Sequence, residues 1–306
     1  MHPTQHVFLV RPAAFSFNHE TALSNSFQQL SHLTDEQLLQ KVLQEFDAFA
    51  ASLRAKNVDV LVFDDTPVPA KPDAIFPNNW ISIQPDGSLI LYPMCTRNRR
   101  AERRQDLVDT LTRAFQISRV IDHSGHEKNQ QFLEGTGSIV FDHVNKVAYA
   151  CLSARTDKLL FLELCAQLGY QAIAFHAYDQ KGQAIYHTNV LMAVGAGFAV
   201  ICLESITDKN ERSLVEAALK SSGLEIVEIS FAQMNAFCGN MLQLQTSYNV
   251  NLLVMSKSSF QALNTEQKNT LSKYSELLPL SIPTIETVGG GSVRCMIAEI
   301  FCAPRS

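Results

Sequence analysis

Short apolar runs alternate along the chain with longer amphipathic stretches, and the alternation recurs. Five times a polar or small residue opens a short apolar run: Asn79 in "NWISI", Ser138 in "SIVF", Asn189 in "NVLMAV", Asn240 in "NMLQL" and Cys295 in "CMIAEI". Successive openings lie 59, 51, 51 and 55 residues apart. Runs of this length, bounded by turn residues, predict strands. After four of them a second apolar run follows across a turn: "SLILYP", "KVAYACLS", "GFAVICLES" and "NLLVMSKS". Turns built from Asp86-Gly87 or Gly195-Ala196-Gly197 predict that the two strands pair antiparallel.

Each second strand leads into a helical pattern. "TDKLLFLELCAQLG" from Thr156 and "TDKNERSLVEAALKSSG" from Thr207 each start at a threonine expected to cap the helix and end at a glycine. Third strands follow in "QISRVIDH", "QAIAFHAYD", "LEIVEIS" and "LPLSIP". The unit opened by Cys295 lacks these later pieces, and they occur at the other end of the chain. "HVFLVRP" reads as a strand. "TDEQLLQKVLQEFDAFAASLRA" reads as an amphipathic helix with Thr34 and Gln37 as a capping box, and "VDVLVFDD" as a further strand. The expectation is an α/β fold: one domain over residues 1–306, a five-fold pseudosymmetric α/β propeller whose ring is closed by the N- and C-terminal strands.

Composition narrows the function classes. With 46% hydrophobic and 18% charged residues the chain reads as an ordinary soluble globular protein. A net charge of −5 gives no reason to expect nucleic acid or an anionic membrane surface as partner. The basic cluster of Arg97, Arg99, Arg100, Arg103 and Arg104 contains Glu102 and reads as a solvated helix start. No apolar run is long enough for a signal peptide or a bilayer span. Seven cysteines without a C-x-x-C spacing predict reduced thiols, hence the cytoplasm.

In such a ring the openings of the five inner strands face one axial cavity. Read with their neighbours they are "PDAIFPNNW", "FLEGTGS", "YHTNV", "FCGNM" and "GGGSVRC". Together they bring a thiol (Cys295), an imidazole (His187), two carboxylates (Glu134 and Asp73) and the amides Asn78, Asn79 and Asn189. A thiol, an imidazole and an orienting acid are the parts of covalent catalysis: nucleophile, proton carrier and positioner. Each alone is weak, since a buried cysteine or histidine is more often structural. Their coincidence at equivalent places of a repeat gives them weight. No metal-ligand spacing is present, and no metal or cofactor is expected.

These motifs, in this order and over nearly the whole chain, resemble those of the guanidino-group-modifying enzymes of the pentein fold: dimethylarginine dimethylaminohydrolases, arginine deiminases and amidinotransferases. "PDAIFPNNW" resembles their acidic strand opening, "FLEGTGS" their L-[ED]-G-G-D, "YHTN" their catalytic histidine segment, and "GGGSVRC" the segment with the nucleophilic cysteine. "NRRAE" and "LSART" resemble two arginine motifs that hold a substrate carboxylate. The resemblance implies Cys295 as nucleophile, His187 as general acid/base and Glu134 as orienting acid. It implies Asp73 on the substrate side chain, with Arg99 and Arg155 at the carboxylate end; Arg97 and Arg100 are alternatives to Arg99.

The departures concern charge. Relatives that bind a guanidinium usually carry carboxylates where this chain has Asn78, Asn79 and, in the deiminases, Asn189. A guanidinium offers only donors and keeps its charge, so carboxylates suit it. Amides suit a neutral group that donates and accepts, such as the ureido group of citrulline. The resemblance includes a citrulline-hydrolysing branch with an F-P-N-N-W segment. The expected activity is therefore hydrolysis of citrulline to ornithine, CO2 and ammonia through an S-carbamoyl intermediate. Hydrolysis of arginine or a methylated arginine, transfer of an amidino group, and a non-enzymatic binding ring like a ribosome anti-association factor are the alternatives. The expected partner is a small amino acid, with a homodimer left open.

Overall fold

The computed structural model describes residues 3–305. Its strands are β1 (His6–Arg11), β2 (Asp59–Asp64), β3 (Ile81–Ile83), β4 (Ser88–Leu91), β5 (Arg119–Asp122), β6 (Val140–Asp142), β7 (Val147–Cys151), β8 (Gln171–Phe175), β9 (Met192–Gly195), β10 (Phe198–Ile201), β11 (Glu225–Glu228), β12 (Leu242–Gln245), β13 (Asn251–Ser256), β14 (Glu276–Leu280) and β15 (Ala298–Ile300). Three sheets have three strands each, β6-β7-β8, β9-β10-β11 and β12-β13-β14; the fourth has six, in the order β2-β1-β15-β3-β4-β5. In each three-stranded sheet the first strand pairs antiparallel with the second, and the second parallel with the third. The six-stranded sheet contains two more such sets. β3-β4-β5 is continuous in sequence, whereas β15-β1-β2 joins the far ends of the chain through His6 opposite Ile300 and Phe8 opposite Ala298. One bridge, Ile300 to Ile83, links the two sets. The mixed α/β content is as expected, and the 7–12 run does pair with the run after Cys295.

The helices form where the sequence has caps and an apolar stripe. Asp35–Ala55 begins with the full Thr34–Gln37 capping box and buries Leu38, Val42, Phe46, Phe49, Ala50 and Leu53. That face packs with Val7 and Leu9 of β1 and with Val293, Met296 and Ile297 beside Cys295. Each fully buried side chain of this size contributes about 1.5–3 kcal/mol. The helices Lys158–Leu168 and Lys209–Ser221 are capped by Asp157 and Asp208, not by Thr156 and Thr207. The threonines stand one residue too early for their side chains to reach the second or third helical N–H.

Two further expectations change. Asn79, Ser138, Asn189 and Cys295 do not begin strands. Each sits in a single helical turn that precedes the first strand of a set: Pro77–Asn79, Gly135–Ser138, Thr188–Leu191 and Val293–Met296. The arginine cluster is not a solvated helix start either. It forms a short 3-10 turn, Asn98–Glu102, and Arg99 is buried. All seven cysteines are free thiols. Among the described residues no helix is long and apolar enough to cross a membrane.

Candidate active site

The single turns before these first strands put polar side chains at one place. A cavity of about 20 Å³ is lined by Asp73, Asn79, Arg99, Arg155, Tyr186, His187 and Cys295, by Gly289–Gly291, and by Thr21 and Asn25 from an N-terminal segment. That volume admits about one water. The N-terminal segment is tied down over it. Arg155 donates to Thr21 O and Ser24 Oγ, both from Nη2, at 3.0 and 2.7 Å. Asn25 Nδ2 donates to Gly290 O at 3.2 Å, and Asn18 Nδ2 to Asp73 Oδ2 at 2.7 Å. Gly290 needs its left-handed φ of +64°, and a side chain there would run into Asn25 and Gln28.

Glu134 is fully buried and its carboxylate is fully engaged. Oε1 accepts from the Cys95 N–H at 2.9 Å, and Oε2 from His187 Nε2 at 2.9 Å, with Arg155 Nη1 at 3.6 Å. Burial alone would raise its pKa, but the Arg155 charge and the His187 hydrogen bond outweigh it and hold it at about 2. An ionised carboxylate is an acceptor only, so His187 carries its proton on Nε2 and turns Nδ1 toward the cavity. Burial pushes His187 down to about 4 in spite of Glu134, so the imidazole is neutral at pH 7. Gly137 lies beside both His187 and Asn79. A Cβ there would stand 2.7 Å from His187 Nδ1 and closer still to Asn79 Nδ2. Ser138 accepts the Glu134 N–H at 2.9 Å and donates to Arg155 O at 2.9 Å, which braces the Glu134 turn.

The Asn79 amide has a defined direction. Arg99 Nη1, which can only donate, binds Asn79 Oδ1 at 2.7 Å. Nδ2 is therefore the free end, and it has no hydrogen-bond partner among the described residues. Arg99 itself is largely spent. Nε and Nη2 grip the two Glu102 oxygens at 2.8 and 2.9 Å, and Nη2 also donates to Phe76 O at 3.1 Å. One Nη1 hydrogen is left, so Arg99 is not the free carboxylate fork expected from the sequence. Arg97 is exposed, and Arg100 and Arg103 bind Glu127 instead.

Other expected residues lie near the site without lining it. Asn78 turns its Nδ2 to Thr136 Oγ1 at 3.2 Å. The Asn189 amide lies 3.4 Å from Cys295 Sγ and lines a separate cavity of about 70 Å³ with Arg294, Glu299 and Gln243. That larger cavity is lined by the His143 imidazole but by no thiol, whereas the smaller one brings a thiol and an imidazole together. Asp73 Oδ2 is engaged by Asn18, while Oδ1 is buried with no partner among the described residues. Asn18, Thr21, Asn25 and Tyr186 were missed in the sequence. Only Tyr186, next to His187, carried a signal. Asn240 is treated below.

The comparisons with known proteins come to the same fold. No curated protein matches the sequence. The apo structure of ArgZ, an arginine dihydrolase from the ornithine–ammonia cycle in cyanobacteria, superposes with a TM-score of 0.74 at 11% identity over 96% of this chain. This chain spans only 40% of that one, but 97% of its N-terminal domain, crystallised with a covalently bound reaction intermediate, at a TM-score of 0.75. DDAH from Pseudomonas aeruginosa, a cysteine mutant complexed with citrulline, gives 0.67 at 14% identity, covering 98% of this chain and all of that one. At such identities these likenesses establish the fold. The family is established by sequence: residues 11–302 match the family described as N,N dimethylarginine dimethylhydrolase, eukaryotic. With that match over nearly its whole length, the chain belongs to this family of guanidino-group-modifying enzymes and is a hydrolase of non-peptide C–N bonds.

Proposed function

We propose that this hydrolase acts on citrulline. The observation that carries the reading is the Asn79 amide: Arg99 occupies its oxygen, so a donor N–H faces the cavity. A ureido oxygen accepts from that donor. A guanidinium, which has only donors, meets it with an unpaired N–H, and a buried unmatched group costs about 1–3 kcal/mol.

The chemistry follows from the residues. His187 Nδ1 takes the Cys295 proton as the sulfur adds to the ureido carbon. Asn79 Nδ2 donates to the oxygen as charge builds there. The C–N bond to the leaving amine breaks as His187 returns the proton to that nitrogen, which leaves a carbamoyl thioester. Water, losing a proton to His187, adds to the thioester. The S–C bond breaks, Cys295 is reprotonated, and the carbamate falls to CO2 and ammonia. Glu134 holds the imidazole throughout, and Asp73 Oδ1 accepts from the ureido N–H groups. The closed cavity has no room for an amino acid, so the segment around Thr21–Gln28 moves aside on entry. In this reading residues 1–306 form one domain, and its five strand sets ring the cavity as a five-fold pentein propeller. β6 packing on β9, and β9 on β12, support that arrangement.

The second reading, an arginine or methylarginine hydrolase, is favoured by the free Asp73 Oδ1 and by the family's description. Measuring kcat/KM for citrulline, arginine and dimethylarginine on one preparation separates them. Citrulline is expected to lead by about ten- to a hundred-fold. Either guanidino substrate leading would overturn the first reading.

A further inference from the structure

We infer that Asn240 is a catalytic residue whose side-chain amide stabilises the Cys295 thiolate, an inference that rests on Cys295 being the nucleophile. Asn240 opens the fourth repeat, as Asn189 opens the third, and it is 1% exposed. Its Nδ2 lies 3.3 Å from Cys295 Sγ and donates to Asn189 O at 2.9 Å. Its Oδ1 accepts the Arg294 N–H at 3.1 Å. Those two backbone partners, one a donor and one an acceptor, have fixed polarity, so the amide cannot be turned end for end. A donor N–H is thereby held against the sulfur.

The geometry serves both forms of the sulfur. Sγ is 3.6 Å from Asn240 Oδ1, an acceptor for the S–H proton. Once ionised the sulfur accepts only, and the nearer Nδ2 favours that form, because hydrogen bonds to an ion are the stronger ones. Asn189 Nδ2 approaches at 3.4 Å, but its Oδ1 has no partner among the described residues, so nothing fixes that amide's direction. The charged and titratable groups that share the cavity with the sulfur are Asp73, Arg99, Arg155, Tyr186 and His187, with Glu134 behind His187. Arg294, adjacent in sequence, turns away to Ile297 O and Glu299. A neutral donor from Asn240 therefore favours the anion without adding another cation beside Asp73.

The test is the rate at which iodoacetamide alkylates Cys295, followed on the Cys295 peptide by mass spectrometry from pH 6 to 10. In Asn240→Ala the rate at pH 7 is expected to fall about tenfold, and the deficit to close by pH 10, where thiols ionise unaided. Asn240→Asp, equal in size, is expected to fall about a hundredfold at pH 7, because a carboxylate then faces the sulfur. An unchanged rate at pH 7 would overturn the inference. So would a deficit equal at every pH, which means altered access, or failure of both variants to fold, which makes Asn240 a structural tie. Turnover by Cys295→Ser is measured beside them. Full activity there would instead remove Cys295 as nucleophile, whereas an inactive Cys295→Ser with unaltered Asn240 variants removes only the present inference.

Discussion

Arg99 decides which end of Asn79 faces the cavity. Its Nη1 holds Asn79 Oδ1 at 2.7 Å, while Glu102 holds Arg99 through two oxygens. A chain of three buried side chains thus presents one N–H to the cavity, and the first prediction follows from it. Asn79→Asp keeps the Arg99 contact but replaces that N–H with a second carboxylate oxygen. Citrulline kcat is expected to fall at least about a hundredfold, with KM changing less, because the contact strengthens as charge builds on the oxygen. Steady-state kinetics on the folded variant check this. A loss confined to KM would mean that Asn79 only binds.

Gly137 gives a test that removes no polar group. A methyl there collides with His187 Nδ1 and Asn79 Nδ2, and neither ring nor amide can move without breaking its bond to Glu134 or Arg99. Gly137→Ala is expected to lower kcat about a hundredfold or more while changing the unfolding midpoint modestly. Near-normal activity would mean that the two polar edges are not used together.

The buried His187–Glu134 pair makes stability depend on pH. His187 falls from 6.5 to about 4 on folding, so between those values the unfolded chain binds more protons. Stability is then full above pH 6.5 and declines toward pH 4. Glu134, lowered from 4.5 to about 2, adds a further loss as pH falls from 4.5 toward 2. The His187 part is about 3 kcal/mol. Denaturant unfolding from pH 7.5 to 4.5 should show the decline, and His187→Gln should reduce its slope without abolishing it, because burial lowers His143 to about 3 and it loses stability over the same range. An equal slope in both proteins would assign the acid loss elsewhere.

Much of this was legible in the residues, for physical reasons. Strand positions could be read because apolar runs and turn residues are local signals. The split fifth unit could be read because its missing strands occur at the other end of the chain. Short-range order also fixed the Thr34–Gln37 box. The direction of side chains was not legible. Whether Asn189 faces substrate or sulfur depends on Cys295, 106 residues away, and whether Arg99 is solvated depends on Asn79 and Phe76. Amides in place of carboxylates could be seen, but not that an arginine would orient one of them. Asn240 had a signal in the repeat spacing, yet no chemistry attached to it until its three partners were known.

The pairing of β1 with β15 has a consequence for how the protein is made. Those strands are nearly three hundred residues apart in sequence. During synthesis β1 and β2 leave the ribosome early, and one edge of β1 stays open until residues 298–300 arrive. The turn that carries Cys295 is translated just before them. The edge of β1 that β15 covers, and the Cys295 turn beside it, are therefore completed only after the other site residues have been made. Such long-range closure makes the last step slow and leaves an apolar strand edge for chaperones to shield.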